Sequence, residues 1–135
     1  MEMSKRLLAL GALALGGLVA GPALAQDADL AAEGERIFRR CAACHQIGEG
    51  ASNGVGPMLN GVVGRTAGSV EDYDYSEAMQ EAGAGGLVWD EATLSSFLEN
   101  PREVVEGTKM AFAGLRDEED RQAVIEYLKS ASTGG

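Results

Sequence analysis

Both cysteines and the single histidine of the chain fall within five residues, in the stretch Cys41-Ala42-Ala43-Cys44-His45. Two thiols three positions apart lie on one helical turn, so both can add to the vinyl groups of one porphyrin. The adjacent imidazole can then offer a nitrogen to the iron. Cys-x-x-Cys-His is the attachment signature of c-type haem. The pattern therefore predicts one covalent haem, held by Cys41 and Cys44, with His45 as an iron ligand.

Two other uses of such a motif are less well supported by the sequence. A thioredoxin-like redox pair needs a βαβ context, and no strand-rich segment precedes Cys41. A structural zinc site needs four ligands, whereas the chain offers two cysteines and one histidine. Acidic residues could complete a zinc site, so this alternative stays open.

Residues 1–25 have the pattern of a cleaved signal peptide. Lys5 and Arg6 form a basic start, residues 7–19 are largely apolar, and Ala23-Leu24-Ala25 supplies small residues before a cleavage site. An uncleaved membrane anchor is the alternative, since the apolar span is nearly long enough to cross a bilayer. A Gly-Pro pair interrupts that span. We therefore expect cleavage after Ala25 and a periplasmic location.

Cleavage would leave residues 26–135 as a single domain of 110 residues. So small a chain buries a limited core, and a covalently held apolar cofactor would add buried surface. The leader carries one net positive charge, so its loss takes the formal charge from −10 to −11. Such a negative charge argues against nucleic acid and anionic membrane surfaces as partners. We expect a monomer without stable membrane insertion.

The elements that position the haem motif are predicted to be helical. A first helix, capped by Asp27 or Asp29, leads into Cys41. Its apolar positions recur at helical spacing, and they are Leu30, Gly34, Ile37, Phe38 and Cys41. A glycine on that face normally destabilises a helix, so Gly34 is predicted to allow close approach of another helix.

Further cap signals place the remaining helices. Residues 73–83 are predicted to contain a short helix capped by Ser76, and Asp90 begins a second principal helix. Pro101 ends that helix and starts one further helical turn. Asp117 caps a last helix with acids in its first turn. The prediction is an all-α domain of three principal helices, with short helices and long loops around one haem.

Residues 48–68 are rich in Gly, Asn and Ser and are predicted to form an ordered loop. A loop this long in a small domain is usually functional, and this one could wrap a flat cofactor. The residues expected to face the porphyrin are Met58, Leu59, Val62 and Val63. Arg65 is either paired with haem propionates or solvated at the surface.

A second glycine-bounded loop, residues 107–114, is called the methionine loop below. It carries Met110, 65 residues after His45, which makes Met110 the preferred sixth ligand. Met79 is predicted to lie on a helix face, where methionine is ordinarily core, and Met58 follows His45 closely. The residues alone leave all three methionines possible.

Taken together, four stretches resemble the class I c-type cytochromes, which include mitochondrial cytochrome c and bacterial periplasmic cytochromes c2. The resemblance covers nearly all of the expected mature chain. The stretches are Cys41–His45, Gly56–Gly61 with Gly64-Arg65, Leu98–Pro101 and Gly107–Phe112.

The resemblance implies the cytochrome c fold and a set of haem contacts. His45 would be the proximal ligand, Met110 the distal ligand, and the Pro57 carbonyl would accept the imidazole N–H. Gly34 would pack against the last helix near Tyr127. The remaining implied contacts are Arg65, Tyr75 and Trp89 around a propionate, with Thr108 and Phe112 beside the methionine loop.

Two departures from the family pattern bear on the methionine ligand and on docking. Phe97 stands where many relatives carry a tyrosine whose hydroxyl touches the methionine sulfur, so Phe97 is expected to contact the haem without that hydrogen bond. Lysines are scarce, since only Lys109 and Lys129 follow the leader. The docking surface that such proteins build from a ring of lysines must therefore be altered here.

The resemblance implies a soluble one-electron carrier, not an enzyme, with one covalent haem c. Its partners would be membrane redox complexes: a cytochrome bc-type donor, and an oxidase or photosynthetic reaction centre as acceptor. Two alternatives remain. One is a haem enzyme or sensor whose labile sixth ligand gives way to peroxide or a gas, and the other is a thiol oxidoreductase using both cysteines.

The few cations suggest where a partner docks. Arg39 and Arg40 precede the haem cysteines, and Arg102 and Lys109 flank the methionine loop. Acids are expected to cluster elsewhere, in residues 71–74 and at the start of the last helix. We therefore expect a cationic haem edge that meets an acidic partner.

Overall fold

The computed structural model describes residues 11–18 and 21–132. The basic start of the expected leader lies outside these residues. Residues 11–18 have no regular structure and are exposed. Within the described ranges, no helix is both long and apolar enough to cross a membrane. Cleavage after Ala25 stays a prediction.

Five helices account for the regular structure of the described residues. They are α1 (Pro22–Phe38), α2 (Glu77–Ala84), α3 (Glu91–Glu99), α4 (Pro101–Val104) and α5 (Glu118–Ala131). The three longest are the predicted principal helices, and α5 packs against both α1 and α3. In the described part of the chain, β-pairing is limited to an isolated antiparallel bridge between Thr66 and Val88. The predicted all-α class is confirmed.

The start of α1 differs from the prediction. The helix begins at Pro22, with Gly21 as its N-cap, and neither Asp27 nor Asp29 caps it. Proline favours the first helical position because its φ is already helical and its missing N–H would have no partner there. Both aspartates therefore lie inside the helix in the full chain. The expected cleavage site after Ala25 falls within the first turns of α1.

Three other predicted caps are confirmed by hydrogen bonds. The Ser76 hydroxyl accepts from the Met79 amide at 3.1 Å, and the Asp90 carboxylate accepts from the Thr93 amide at 2.7 Å. Asp117 accepts from the amides of the first turn of α5. Each bond satisfies an amide that the helix itself leaves free.

Helices α1 and α5 meet where Gly34 lies against Ala123 and Tyr127. The Phe38 and Tyr127 rings pack at 5.2 Å between centroids. The buried stripe of α5 contains the predicted residues Val124, Ile125 and Leu128. The close approach predicted from a glycine on an apolar helix face is confirmed.

Arg121 joins α5 to the end of the methionine loop. It is only 8% exposed. Its guanidinium donates to the carbonyls of Leu115 and Arg116, each at 2.9 Å, and to the Ser95 hydroxyl of α3 at 3.0 Å. The segment that leaves the methionine loop is thereby fixed against two helices.

Replacing Gly34 by alanine tests the α1–α5 contact. A Cβ atom there would lie 2.5 Å from the Ala123 carbonyl carbon and 2.8 Å from Tyr127 Cβ. Alanine gains about 1 kcal/mol in helix propensity, but overpacking costs about 1–3 kcal/mol, and here the clash is with backbone. We expect Gly34→Ala to lower the free energy of unfolding by about 2 kcal/mol in denaturant titrations of the haem-loaded protein.

Gly54→Ala is the matched control, because a Cβ there meets its nearest atom, the Cys44 carbonyl oxygen, at an ordinary 3.7 Å. Equal stability changes in the two variants would contradict the close-contact account.

Candidate haem site

An apolar cavity of about 440 Å³ lies between α1, α3, α5 and the loops. This volume is within the range of small-molecule and cofactor pockets. The structure brings ten of the predicted haem-contact residues to its wall, and they are Cys41, Cys44, His45, Pro57, Arg65, Tyr75, Trp89, Phe97, Thr108 and Met110. Residues from distant parts of the sequence therefore converge on one cavity. Their roles towards a haem stay predictions.

The cysteine pair lies on a helical turn directly after α1. The amides of Cys44 and His45 both donate to the Cys41 carbonyl, at 3.1 and 2.9 Å. This turn brings both sulfurs and the imidazole to the same cavity wall. Neither cysteine forms a disulfide. Burial raises the pKa of Cys41, partly offset by the charge of Arg40, so this thiol is held protonated rather than as a redox-active thiolate.

His45 is oriented by the loop that follows it. Its Nδ1 donates to the Pro57 carbonyl at 2.7 Å, which leaves Nε2 without the proton and free to bind iron. Gly56 makes room for the ring, because a Cβ there would lie 2.5 Å from His45 Cε1. Burial lowers the pKa of His45, opposed by the Pro57 hydrogen bond and assisted by the charge of Arg65. A neutral imidazole is the form that binds a metal.

Arg65 is a half-buried cation at the cavity wall. Its guanidinium donates to the Asn60 carbonyl at 2.9 Å. Among the described residues, its Nε is the buried side-chain polar atom left without a hydrogen-bond partner. Burial lowers the pKa of Arg65. A desolvated guanidinium with a free donor is suited to an anionic group, and haem propionates would supply one.

Two of the three candidate methionines line the cavity. Met110 and Met79 do so, whereas Met58 lies outside the lining. The Met110 amide donates to the Thr108 hydroxyl at 3.3 Å, so the methionine loop is braced locally. Met79 belongs to α2 and is packed against the hydrophobic core. The cavity lining favours Met110 and Met79 over Met58 as the sixth ligand.

Four residues of the loop 48–68 were expected to face the porphyrin, and only Leu59 lines the cavity. The expectation is therefore wrong for Met58, Val62 and Val63. The chain makes successive turns here, in which Val62 donates to the Leu59 carbonyl and Arg65 to the Val62 carbonyl. Val62 is instead buried in the core. Gly61 and Gly64 have positive φ, which allows these turns.

The part of the cavity near Phe97 is apolar. The Phe97 and Trp89 rings pack at 4.7 Å between centroids. Leu94 and Leu98 of the same helix also line the cavity. These apolar walls would limit the contact of water with a bound group.

Tyr73 is a cavity residue that the sequence reasoning missed. It lies in an acidic loop with no helical or strand periodicity, so pattern analysis gives it no role. The one local signal is an aromatic ring between two acidic residues, because a large ring in a loop usually packs against other side chains. Ser76 and Val55 line the same cavity and were likewise not predicted to do so.

Comparison with known proteins now adds independent support. The family model for cytochrome c matches residues 31–132. The chain belongs to the cytochrome c family. It is 52% identical to a cytochrome c2 of Afifella marina over 110 residues, which is 82% of this chain and 89% of that protein. It is 42% identical to a cytochrome c2 of Blastochloris viridis over 130 residues, which is 96% of this chain and 97% of that protein.

The fold gives the same result. The solved structure of cytochrome c2 from Rhodospirillum centenum superposes with a TM-score of 0.72 at 36% identity, covering 76% of this chain and 98% of that one. The cytochrome c fold expected from the resemblance is therefore confirmed.

Family membership and the cysteine pair establish one covalent haem c as the cofactor. The cavity fits this group, because it offers two free thiols, an oriented neutral imidazole and an unpartnered guanidinium donor on largely apolar walls. Among the described residues, no group of three or more His, Cys, Asp or Glu is placed to hold a metal ion. The zinc alternative therefore finds no site in that part of the chain.

Replacing both cysteines tests their assignment as haem attachment points. We expect the wild-type protein to carry one covalent haem and no free thiol. In the Cys41→Ala/Cys44→Ala variant, any bound haem should be extracted completely by acidic acetone, because both thioether bonds are gone. Haem that stays covalently bound in the double variant would contradict the assignment.

Replacing Met110 tests the choice of the sixth ligand. We expect Met110→Ala to abolish the ferric methionine absorption band, to lower the midpoint potential and to open the iron to added imidazole, because a soft sulfur donor is lost. Met79→Ala is the matched control, since Met79 lines the same cavity. If Met79→Ala abolishes the band and Met110→Ala does not, Met79 is the ligand.

Proposed function

We propose that the protein is an exported, soluble one-electron carrier of the periplasm that shuttles electrons between membrane redox complexes. Its haem iron would be bound by His45 and Met110. The observation that carries this proposal is the convergence of an oriented imidazole and a loop-borne thioether on one apolar cavity.

The haem supplies a single redox centre that accepts and releases one electron. The chain's own residues determine how that centre behaves. His45 is held by the Pro57 carbonyl, so the ring need not reorient when the charge of the site changes. The apolar residues around Phe97 exclude water, and a thioether donor favours the reduced state. Both effects raise the midpoint potential.

A carrier that keeps both iron ligands has no open position for substrate. This distinguishes the proposal from a haem enzyme or sensor. The Thr108 hydroxyl braces the methionine loop and Arg121 fixes the segment that follows it, which supports a sixth ligand that stays in place. The relatives named cytochrome c2 support the same role. Partners of the cytochrome bc type, and an oxidase or reaction centre, follow from the family resemblance.

The mouth of the cavity is the surface through which an electron would leave. Arg40 and Lys109 line the cavity and are exposed. Val55 is 76% exposed beside them and gives the mouth an apolar contact. Arg39 and Arg102 are also exposed but lie outside the cavity lining. The cationic edge thus depends chiefly on Arg40 and Lys109.

The expectation that the acids lie away from this edge is wrong for residues 71–74. The Lys109 ammonium donates to the Asp74 backbone carbonyl, so this acidic loop meets the methionine loop at the cavity mouth. Lys109 is held by this loop, whereas Arg40 forms no salt bridge within the described residues, so we expect Arg40 to be the stronger steering charge for an acidic partner.

Oxidation of the reduced protein by membranes of its own source, in the dark and under illumination, tests the function. We expect rapid oxidation. The rate should fall as the salt concentration rises from about 10 mM to physiological ionic strength, where the screening length is about 8 Å. Arg40→Glu should slow oxidation at low salt by roughly threefold or more, with a smaller effect for Lys109→Glu.

Lys129→Glu is the matched control. It makes the same change in net charge on α5, where Lys129 pairs with Glu91 and Glu126 outside the cavity lining. No oxidation under either condition would contradict the carrier function. A rate that climbs with salt and ignores Arg40→Glu would contradict the cationic docking edge.

A further inference from the structure

Residues 69–75, called the tyrosine loop here, lie between two other loops at the cavity mouth. On one side, the Tyr73 hydroxyl donates to the Val55 carbonyl at 2.7 Å. Val55 directly precedes Gly56 and Pro57, the two residues that make room for His45 and orient it. Tyr73 is thereby bonded to the segment that positions the imidazole.

On its other side, Tyr73 contacts the methionine loop. The Lys109 ammonium lies 4.8 Å from the centroid of the Tyr73 ring, within cation–π range. The same ammonium donates to the carbonyl of Asp74, the next residue along. Lys109 directly precedes Met110. One tyrosine therefore contacts both the segment that positions His45 and the segment that carries Met110.

The tyrosine loop is itself held firmly. The Tyr73 ring packs edge-on against Tyr75 at 4.7 Å between centroids. The Asn53 side-chain amide donates to the Glu71 carbonyl at 3.0 Å. Asp72 adopts a left-handed conformation with φ of +59°, which an aspartate tolerates better than most residues. These contacts fix the direction from which the ring meets Lys109.

We propose that Tyr73 is a positioning residue that acts as a clasp between the two walls of the haem site. By holding Lys109, it keeps the methionine loop closed and limits how often Met110 leaves the iron. The part of this inference that concerns the iron rests on the proposed Met110 ligation; the clasp itself is a contact between loops. Tyr73 takes no direct part in electron transfer and controls only the opening of the methionine loop.

Tyr73 makes two separable contacts, one with Val55 and one with Lys109, and three variants distinguish them. Tyr73→Phe removes the hydroxyl that bonds Val55 but keeps a ring for Lys109. Tyr73→Leu removes both contacts. Lys109→Met removes the cation and its bond to Asp74. If the clasp acts through Lys109, the Tyr73→Leu and Lys109→Met effects on loop opening must overlap rather than add.

Loop opening is measured on the ferric, haem-loaded protein as the limiting rate of imidazole binding at saturating imidazole. We expect this rate to rise about threefold or more in Tyr73→Leu and in Lys109→Met, because an exposed cation–π contact is worth a few-fold in an equilibrium. The double variant should not exceed the larger single effect by more than about twofold. Lys129→Met, which removes a bridging ammonium away from the cavity, should leave the rate unchanged.

Amide hydrogen exchange gives a readout that does not depend on the iron. Peptides covering residues 107–114 should exchange several-fold faster in Tyr73→Leu and Lys109→Met. Tyr73→Phe should instead accelerate exchange mainly in residues 48–57, where its hydroxyl is bonded.

The outcomes separate the clasp from the proposed ligation. If the wild-type ferric protein shows no methionine band, the ligation is wrong, and the exchange of residues 107–114 alone decides the clasp. Unchanged exchange and an unchanged imidazole rate in Tyr73→Leu would overturn it. Fully multiplicative effects of Tyr73→Leu and Lys109→Met on the imidazole rate would also overturn it, since the two residues would then act independently.

Discussion

The hydrogen bond from His45 to the Pro57 carbonyl is the constraint on which the haem site depends. It fixes the tautomer and the direction of the imidazole, and it requires a residue without a side chain at Gly56. The turn that contains both cysteines fixes the backbone of His45, whose amide donates to the Cys41 carbonyl. Ligand, attachment points and the loop of residues 48–57 are thus one unit, and the rest of the chain closes around it.

The hydrophobic core is incomplete without the cofactor. Half of the fourteen buried hydrophobic residues of the core cluster also line the haem cavity: Phe38, Trp89, Leu94, Phe97, Leu98, Val124 and Leu128. A domain of this size has little apolar surface to spare, so contact with a porphyrin adds burial that the chain alone lacks. Stability and function therefore depend on the same surface. The α1–α5 contact through Gly34 joins two helices that line the cavity.

Local chemistry explains what the sequence could predict. The cysteine pair with its histidine and the caps at Ser76, Asp90 and Asp117 are decided within a few residues, and the structure shows each turn or cap bond. Non-local contacts explain the failures. Residues Val62 and Val63 turn away because successive tight turns rotate the chain, and Tyr73 acquires its place from Val55 and Lys109, 18 and 36 positions away. Sequence periodicity does not predict contacts between residues so far apart in the chain.

An optical redox titration of the wild-type protein tests the central claim most directly, because it reports the iron ligand and the number of electrons together. The account predicts one reversible transition with the slope of a single electron, in which the ferric methionine band disappears as the ferrous haem spectrum develops. The haem should also remain attached to the polypeptide after denaturation. A two-electron slope, or a ferric protein without the methionine band, would contradict a carrier whose haem is held between His45 and Met110.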